Sequence, residues 1–519
     1  MRGGIYLLNK DSLEWAINFI QKHSDGDLFP KIVEMEAIDD NKDEFIDLIE
    51  GKPLSEFLPG ACRRFLVPKD ELSYRQATQL DPQDSILLTS ILFQYGMGIE
   101  NRRKPANVVF SYRFSPDINF GLYSLHNSWN DFWTEAFKKS QDFQSVLYCD
   151  IADFYNQIYH HTVENQLIDS GIPNQETKWI INLLKSTTAG VSRGIPIGPH
   201  PIHLIAEATM IPIDNSLTTQ GYEFLRYADD ILIFCNSKED AKAALAVIAK
   251  IIDKQQRLML QRHKTKIYGS DEFRDLCASM IEDRPITNEE DTILKLISKY
   301  SGGNPYATIT YNQISQEDWE TITEEIIAKI IYEYLNKEEV DYIRLRWFYR
   351  RLAQIGHPGA IEVSLNEIIK LNPCFSNVCT YLASVQSIGD EQWKEIGKRL
   401  LDLLDLREVR DSEFFRILIL SLFTRNRYIN HFSVLAKKFP SSESSARREI
   451  LLAANKNSAF DWLREQKESF LNMDSWQKAA YIYSISGLPK DDKKYFINRQ
   501  KFTRPFEKAL AKWSKNLIL

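Results

Sequence analysis

From residue 224 to 234 the chain reads Phe-Leu-Arg-Tyr-Ala-Asp-Asp-Ile-Leu-Ile-Phe, two apolar runs parted by a pair of acids. Such runs suit strands, and a tight two-residue turn favours Asp at its tip, so the pattern predicts a hairpin carrying Asp229 and Asp230. Upstream, Val146-Leu-Tyr-Cys is a further apolar strand that delivers Asp150 at its end. A helix is expected over 158–167. Gly and Pro punctuate Ser192-Arg-Gly-Ile-Pro-Ile-Gly-Pro-His-Pro201, a loop that opens a helix through Ile213. Beyond about residue 285 Gly and Pro thin out. Apolar residues there recur three and four apart over 319–335, 342–355, 393–404, 414–423 and 476–485, which predicts helices. Polar breaks such as His357-Pro-Gly and Phe439-Pro-Ser-Ser separate them. The first part therefore reads as α+β and the remainder as all-α.

Paired acids at a turn repel each other and become favourable when a divalent cation neutralises them. Two-metal phosphoryl transfer needs carboxylates from separate strands converging on ions roughly 3.5–4 Å apart. Asp150 and Asp229 are the natural pair, with Asp230 as third acid. For Asp150 alone, capping of the helix that follows is the competing reading. After the hairpin, Lys264 and Lys266 add two cations, which taken alone could keep an exposed strand edge soluble. Lys69 and Arg75 stand out in Arg63-Arg-Phe-Leu-Val-Pro-Lys-Asp-Glu-Leu-Ser-Tyr-Arg75 as phosphate-binding candidates, a point charge and a fork. Residues 60–115 hold eight Lys/Arg against five Asp/Glu, a modest excess that also suits solvated surface.

In this order (cationic segment, Asp150 strand, Gly-Pro loop, Tyr-Ala-Asp-Asp, Lys264-Thr-Lys266) residues 61–280 resemble reverse transcriptases. The resemblance implies fingers and palm subdomains, with Lys69 and Arg75 clamping a triphosphate and Lys264 beside the departing pyrophosphate. It implies metal ligation by Asp150, Asp229, Asp230 and the backbone carbonyl of Ile151. Gly198 closes a Gly-x-Pro-x-Gly loop that would support template and incoming nucleotide; Ile197 stands where many members carry Gln. Tyr155, five residues after Asp150, matches the ring that blocks a ribonucleotide 2′-hydroxyl, which implies dNTPs as substrates. The segment Ile151-Ala-Asp-Phe-Tyr-Asn-Gln-Ile-Tyr-His-His161, the loop variant and the long C-terminal half resemble, more narrowly, the abortive-infection and unknown-group enzymes of anti-phage defence. Leu352-Ala-Gln-Ile-Gly-His-Pro-Gly-Ala-Ile361 resembles the turn of HEAT-type repeats, so the expected fold is fingers and palm followed by a HEAT-like helical array.

Bulk properties bound this reading. With 519 residues, 44 % apolar and 26 % charged, the chain reads as globular, with room for two or three domains. Its apolar runs are too short and interrupted to cross a bilayer. Met1-Arg-Gly-Gly-Ile-Tyr-Leu-Leu-Asn-Lys lacks the core of a signal peptide. Six cysteines without Cys-x-x-Cys spacing suit reduced thiols and a cytoplasmic protein. The net charge of −7 lies in residues 1–60, with six basic and thirteen acidic side chains, while residues 490–519 carry nine basic and three acidic. The expected layout is an acidic segment packed on the fingers (1–60), fingers and palm (61–285), and a helical repeat-like domain (286–519).

Together these readings describe a Mg²⁺-dependent DNA polymerase, with Mn²⁺ as substitute, acting on dNTPs in phage defence. Relatives of the narrower group synthesise DNA without a template from a tyrosine and form closed oligomers, so the resemblance implies both here. Twelve tyrosines beyond residue 285 are candidate primers (300, 306, 311, 332, 334, 342, 349, 381, 428, 481, 483 and 495), and the sequence does not choose among them. Asp341-Tyr-Ile-Arg-Leu-Arg-Trp-Phe-Tyr-Arg-Arg351 reads either as a nucleic-acid groove or as an amphipathic helix. The alternatives for the whole chain are an RNA-templated enzyme using a partner non-coding RNA, a non-catalytic scaffold, and an RNA polymerase.

Overall fold

The computed structural model describes residues 7–517 apart from 27, 120, 125, 127, 281–286 and 303–306. The first six residues of the chain, the boundary expected near 285, and Tyr306 lie outside the described residues. The chain divides into two compact units. The first comprises Met1–Asp27, Lys42–Arg63 and Thr78–Asp283; the second comprises Leu28–Asn41, Arg64–Ala77 and Arg284–Leu519.

Two short hairpins precede the main sheet, β1 (Arg63–Pro68) with β2 (Tyr74–Gln79) and β3 (Phe114–Asp117) with β4 (Gly121–Tyr123). The main sheet of the first unit is antiparallel, built from β5 (Ser145–Cys149), β6 (Glu223–Tyr227), β7 (Asp230–Cys235) and β8 (Lys266–Gly269) in the order β6-β7-β5-β8. Side chains alternate across a strand, so Val146, Leu225, Leu232 and Phe234 share a core with Phe132, Trp133, Phe273 and Cys277. The last four come from helices Trp129–Lys139 and Ser270–Met280. Helices His200–Thr219 and Lys238–Gln256 pack on each other and on strands of the sheet. Register along β5 and β7 runs from Ser145 opposite Cys235 to Cys149 opposite Ile231. One further step sets Asp150 against Asp230.

The helices expected in the second half are present with small shifts. The 319–335 stretch is broken into Gln316–Glu320 and Glu324–Leu335, because the Thr323 hydroxyl caps the second helix by accepting from the Ile326 N–H. Helices Tyr342–Ile355, Phe375–Ser384, Glu413–Arg425, Ser444–Lys456, Ser475–Ser484 and Pro505–Asn516 form a series in which each packs on the next. Gly356 ends the first of these at φ +60°, and a Cβ there would lie 2.2 Å from the Ser384 carbonyl oxygen, so the turn requires glycine. Segment Leu28–Asn41 belongs to this unit. Phe29 packs edge-on against Phe414, and Glu34 pairs with the buried Arg448. From Tyr342 onward the 341–351 segment lies in helix Tyr342–Ile355, which is amphipathic: Leu345, Phe348, Tyr349 and Leu352 are buried, and Arg346 donates to backbone carbonyls of Pro373 and Lys69. All six cysteines are free thiols, five of them buried. No described helix is long and apolar enough to cross a membrane.

Candidate active site

The ends of β5 and β7 bring three acids together. Asp150 follows β5 and is 4 % exposed, while Asp230 opens β7 after a two-residue turn, Ala228-Asp229, from β6. Ala228 takes the left-handed conformation at φ +52°, which a tight hairpin turn uses but L side chains rarely adopt. Asp150 caps no helix; the next helical turn, Phe154–Gln157, starts from Asp153. Lys264 reaches Asp150 Oδ2 with Nζ at 2.5 Å. The Tyr148 hydroxyl donates to Asp230 Oδ1 at 2.6 Å. Tyr148 is a site residue that sequence reading passed over as part of an apolar strand.

The electrostatics follow from this crowding. Burial, then the charge of Asp229, push the Asp230 carboxyl up to about 7, although the Tyr148 hydrogen bond works the other way. Burial also disfavours the Lys264 ammonium, but the hydrogen bond and charge of Asp150, with Asp230 and Asp229 behind, outweigh it and hold its pKa above the ordinary lysine value. Burial and Asp230 push the Tyr148 hydroxyl well above its usual value. Three acids against one lysine leave a surplus of two negative charges at full ionisation. A divalent cation fits such a donor set, since hard carboxylate oxygens are its preferred ligands. Among the described residues no three such side chains already stand in metal-holding geometry; Lys264 and Tyr148 hold Asp150 and Asp230 instead. Ile151 pairs with Leu260 through bonds made by its neighbours, Ala152 N to Met259 O and Gln261 N to Asp150 O. Those bonds use neither backbone group of Ile151.

Behind the turn lies a buried ionic network. Arg226 of β6 is 0 % exposed and donates to both Asp214 oxygens at 2.7 Å, to Glu207 at 2.9 Å and to the Ala228 carbonyl at 2.9 Å. Arg103 bridges Glu207 and Glu100, and Arg113 pairs with Glu100. Three guanidiniums thus face three carboxylates. Ser111 Oγ donates to Glu207 at 2.6 Å and accepts the Ala228 N–H at 2.8 Å. Strand-like bonds Arg226 N to Val108 O and Phe110 N to Arg226 O complete the clamp. The acidic turn is therefore fixed from both sides by groups remote in sequence.

The other candidates are placed as follows. Tyr155 is half-buried, and its hydroxyl meets His203 Nδ1 at 2.7 Å. The His203 ring stacks on Tyr112 at 4.1 Å, and Tyr112 in turn approaches Tyr227 of the hairpin. Gly198 adopts φ +126°, and its carbonyl lies so near Gly26 that a Cβ on Gly26 would stand 2.4 Å away. The Gly-Pro loop is tied to the segment after Asp150 by Ile195 N to Tyr155 O at 2.9 Å. Lys266 is exposed and paired with Glu272. Lys69 and Arg75 belong to the hairpin portion that clusters with the second unit. There Lys69 is exposed, and Arg75 keeps its Nε buried without a hydrogen-bond partner.

Residues 105–279 match the family described as reverse transcriptase (RNA-dependent DNA polymerase). No curated protein matches the chain. The matched span includes Asp150, Asp229, Asp230, Lys264, Tyr155 and Gly198, and leaves out Lys69 and Arg75. The chain therefore carries a reverse transcriptase domain, and it is a nucleic-acid polymerase, a nucleotidyltransferase consistent with RNA-directed DNA polymerase chemistry.

Proposed function

From that domain we propose that the protein is a divalent-metal-dependent DNA polymerase of phage defence, extending a tyrosyl oxygen without a template. The observation that carries the polymerase reading is the cluster of Asp150, Asp229 and Asp230 at adjoining strand ends, with Lys264 on Asp150. Mg²⁺, with Mn²⁺ as substitute, would be held by the three carboxylates and the Ile151 carbonyl, where it would supply charge to activate the attacking oxygen and offset that on pyrophosphate. A hydroxyl oxygen attacks the α-phosphate of a dNTP; the new P–O bond forms as the bond to pyrophosphate breaks. Lys264 supplies the nearby cation, with a raised pKa that keeps it protonated for transfer to the leaving group. Tyr155 excludes the ribose 2′-hydroxyl, with its ring held by His203. Lys69 and Arg75 take the triphosphate, and Gly198 lets the loop backbone approach the nucleotide. The defence role and tyrosine priming are supported by the 151–161 motif, the loop variant and the long helical half.

Chemistry narrows the priming residue. The hydroxyls of Tyr334, Tyr349, Tyr381 and Tyr481 are held in buried hydrogen bonds and pushed upward in pKa by burial. Tyr311, Tyr428 and Tyr495 are exposed. One of these three is the proposed primer.

Incubation of the purified protein with Mg²⁺ and each labelled dNTP, without nucleic acid, tests the proposal. Label should stay with the protein until proteolysis, and should be absent in Asp229→Ala Asp230→Ala. Incorporation only after RNA is added would instead establish the RNA-templated enzyme with a partner RNA.

A further inference from the structure

The helical unit holds a cavity of about 490 Å³, within the range of small-molecule sites. Trp393, Ile396 and Leu422 contribute apolar wall, and Arg425, Arg427 and Lys456 contribute positive charge, with no carboxylate among the lining residues. Arg425 is the informative one. Burial lowers its pKa, and among the described residues it has neither an ion-pair partner nor a hydrogen-bond acceptor. The nearest carboxylate influence is Glu449, which is already paired with Arg448. A guanidinium carries five donors, and those of Arg425, which lines the cavity, are taken by no protein acceptor among the described residues and are open to a ligand. Its position at the end of helix Glu413–Arg425 gains something from the helix dipole, which replaces none of those hydrogen bonds. Lys31 is a second cation, and after burial the Arg425 charge lowers its pKa. Beside it the Arg427 guanidinium lies over the Tyr428 ring, 4.9 Å from its centroid, a planar surface of the kind on which bases stack.

We propose that this cavity binds a phosphorylated nucleoside, with the base against the Tyr428–Arg427 surface and apolar wall, and the phosphate on Arg425. It shares no residue with the carboxylate cluster and does not depend on the polymerase reading. The ligand chemistry has two sources, a free nucleotide or the 5′-phosphorylated end of a strand.

The test uses the full-length protein in a chelator, which removes divalent metal from the carboxylate cluster. Equilibrium dialysis measures labelled dATP, and anisotropy measures a short labelled oligo-dT with either a 5′-phosphate or a 5′-hydroxyl. Saturable binding of dATP supports the site with a free nucleotide; preference for the 5′-phosphorylated oligonucleotide over the hydroxyl form supports it with a strand end. In either case Arg425→Met should weaken binding tenfold or more, and Asp229→Ala Asp230→Ala should leave it unchanged. The melting temperature of Arg425→Met should not fall, because it removes an unmatched charge. If it does fall, the surface pair Arg427→Ala Lys456→Ala decides by the same tenfold criterion. No binding of either probe, or wild-type affinity in the deciding variant, overturns the proposal.

Discussion

Replacing Arg226 by Met tests whether the acidic turn rests on the buried ionic network. The side chains are similar in length, so the main loss is charge and hydrogen bonding. Asp214 loses both of its 2.7 Å bonds to Arg226 and remains fully buried, while the Ala228 carbonyl loses its donor. Glu207 retains Arg103 at 2.8 Å and Ser111 at 2.6 Å. The uncompensated acid is thus Asp214, whose pKa burial already raises even with Arg226 attached. Breaking a buried pair by removing one partner costs about 3–5 kcal/mol. Removing both, as in Arg226→Met Asp214→Leu, should recover roughly 2 kcal/mol or more of that loss, since a buried pair replaced by apolar groups is often neutral. Urea denaturation of the single and double variants, followed by circular dichroism, measures both quantities. A single variant losing less than about 1 kcal/mol, or a double variant less stable than the single, would refute the reasoning.

Four further outcomes are expected. His203→Ala removes the hydrogen bond that fixes Tyr155, worth about 1 kcal/mol, so the ratio of dNTP to NTP kcat/KM should fall roughly fivefold while dNTP turnover persists. Lys264→Ala should lower kcat for dNTP incorporation about 100-fold or more, with an unchanged circular dichroism spectrum. His357 is 7 % exposed, accepts the Gly359 N–H at Nδ1, and is pushed by burial from 6.5 to about 4. Its pKa is thus depressed in the folded state, so unfolding takes up a proton between those values: stability is fully present above pH 6.5 and declines towards pH 4, by about 3 kcal/mol, a slope that His357→Gln should flatten in pH-dependent melts. Among Tyr311→Phe, Tyr428→Phe and Tyr495→Phe, one should abolish protein-attached label and the other two should retain it.

How much of this was legible follows from what each residue contacts. Asp150, Asp229 and Asp230 were legible because strand period and turn chemistry place acids at strand ends, and sequence-local rules suffice for that. The clamp was not, because Ser111, Arg103 and Glu100 reach the turn through tertiary packing. A partial signal exists. Glu207 and Asp214 interrupt the apolar stretch after the Gly-Pro loop seven residues apart, two helical turns and so one face, with His203 on the same face four residues earlier. Arg226 likewise interrupts an apolar strand. Buried charges seldom stand alone, so two acids on one helical face and an arginine in a strand are candidates to pair. Tyr148 gave no signal, since tyrosine is ordinary in strands. The split of 319–335 turned on Thr323, whose capping role is visible in Thr-Glu-Glu once the apolar period is not forced through it.

Two sets of acids on neighbouring elements are held in opposite ways, and the contrast separates scaffold from chemistry. Glu100, Glu207 and Asp214 meet three arginines, so charge is matched and each carboxylate is hydrogen-bonded, with Arg103 Nε alone of that arginine's nitrogens left without a partner, and burial lowers the local dielectric without leaving a charge unmatched. Asp150, Asp229 and Asp230 meet one lysine, and burial, then the charge of Asp229, push the Asp230 carboxyl up to about 7. A fold able to assemble a matched network at the back of the turn could have matched the front as well. The surplus charge persists where strand ends, a left-handed Ala228 and a remote serine converge to hold it in place. An acid perturbed like Asp230, on a turn fixed by such effort, points to function rather than stability. The test of that distinction is its asymmetry: Asp230→Asn should leave the urea midpoint unchanged or raise it while abolishing nucleotide incorporation, whereas Asp214→Asn should lower the midpoint.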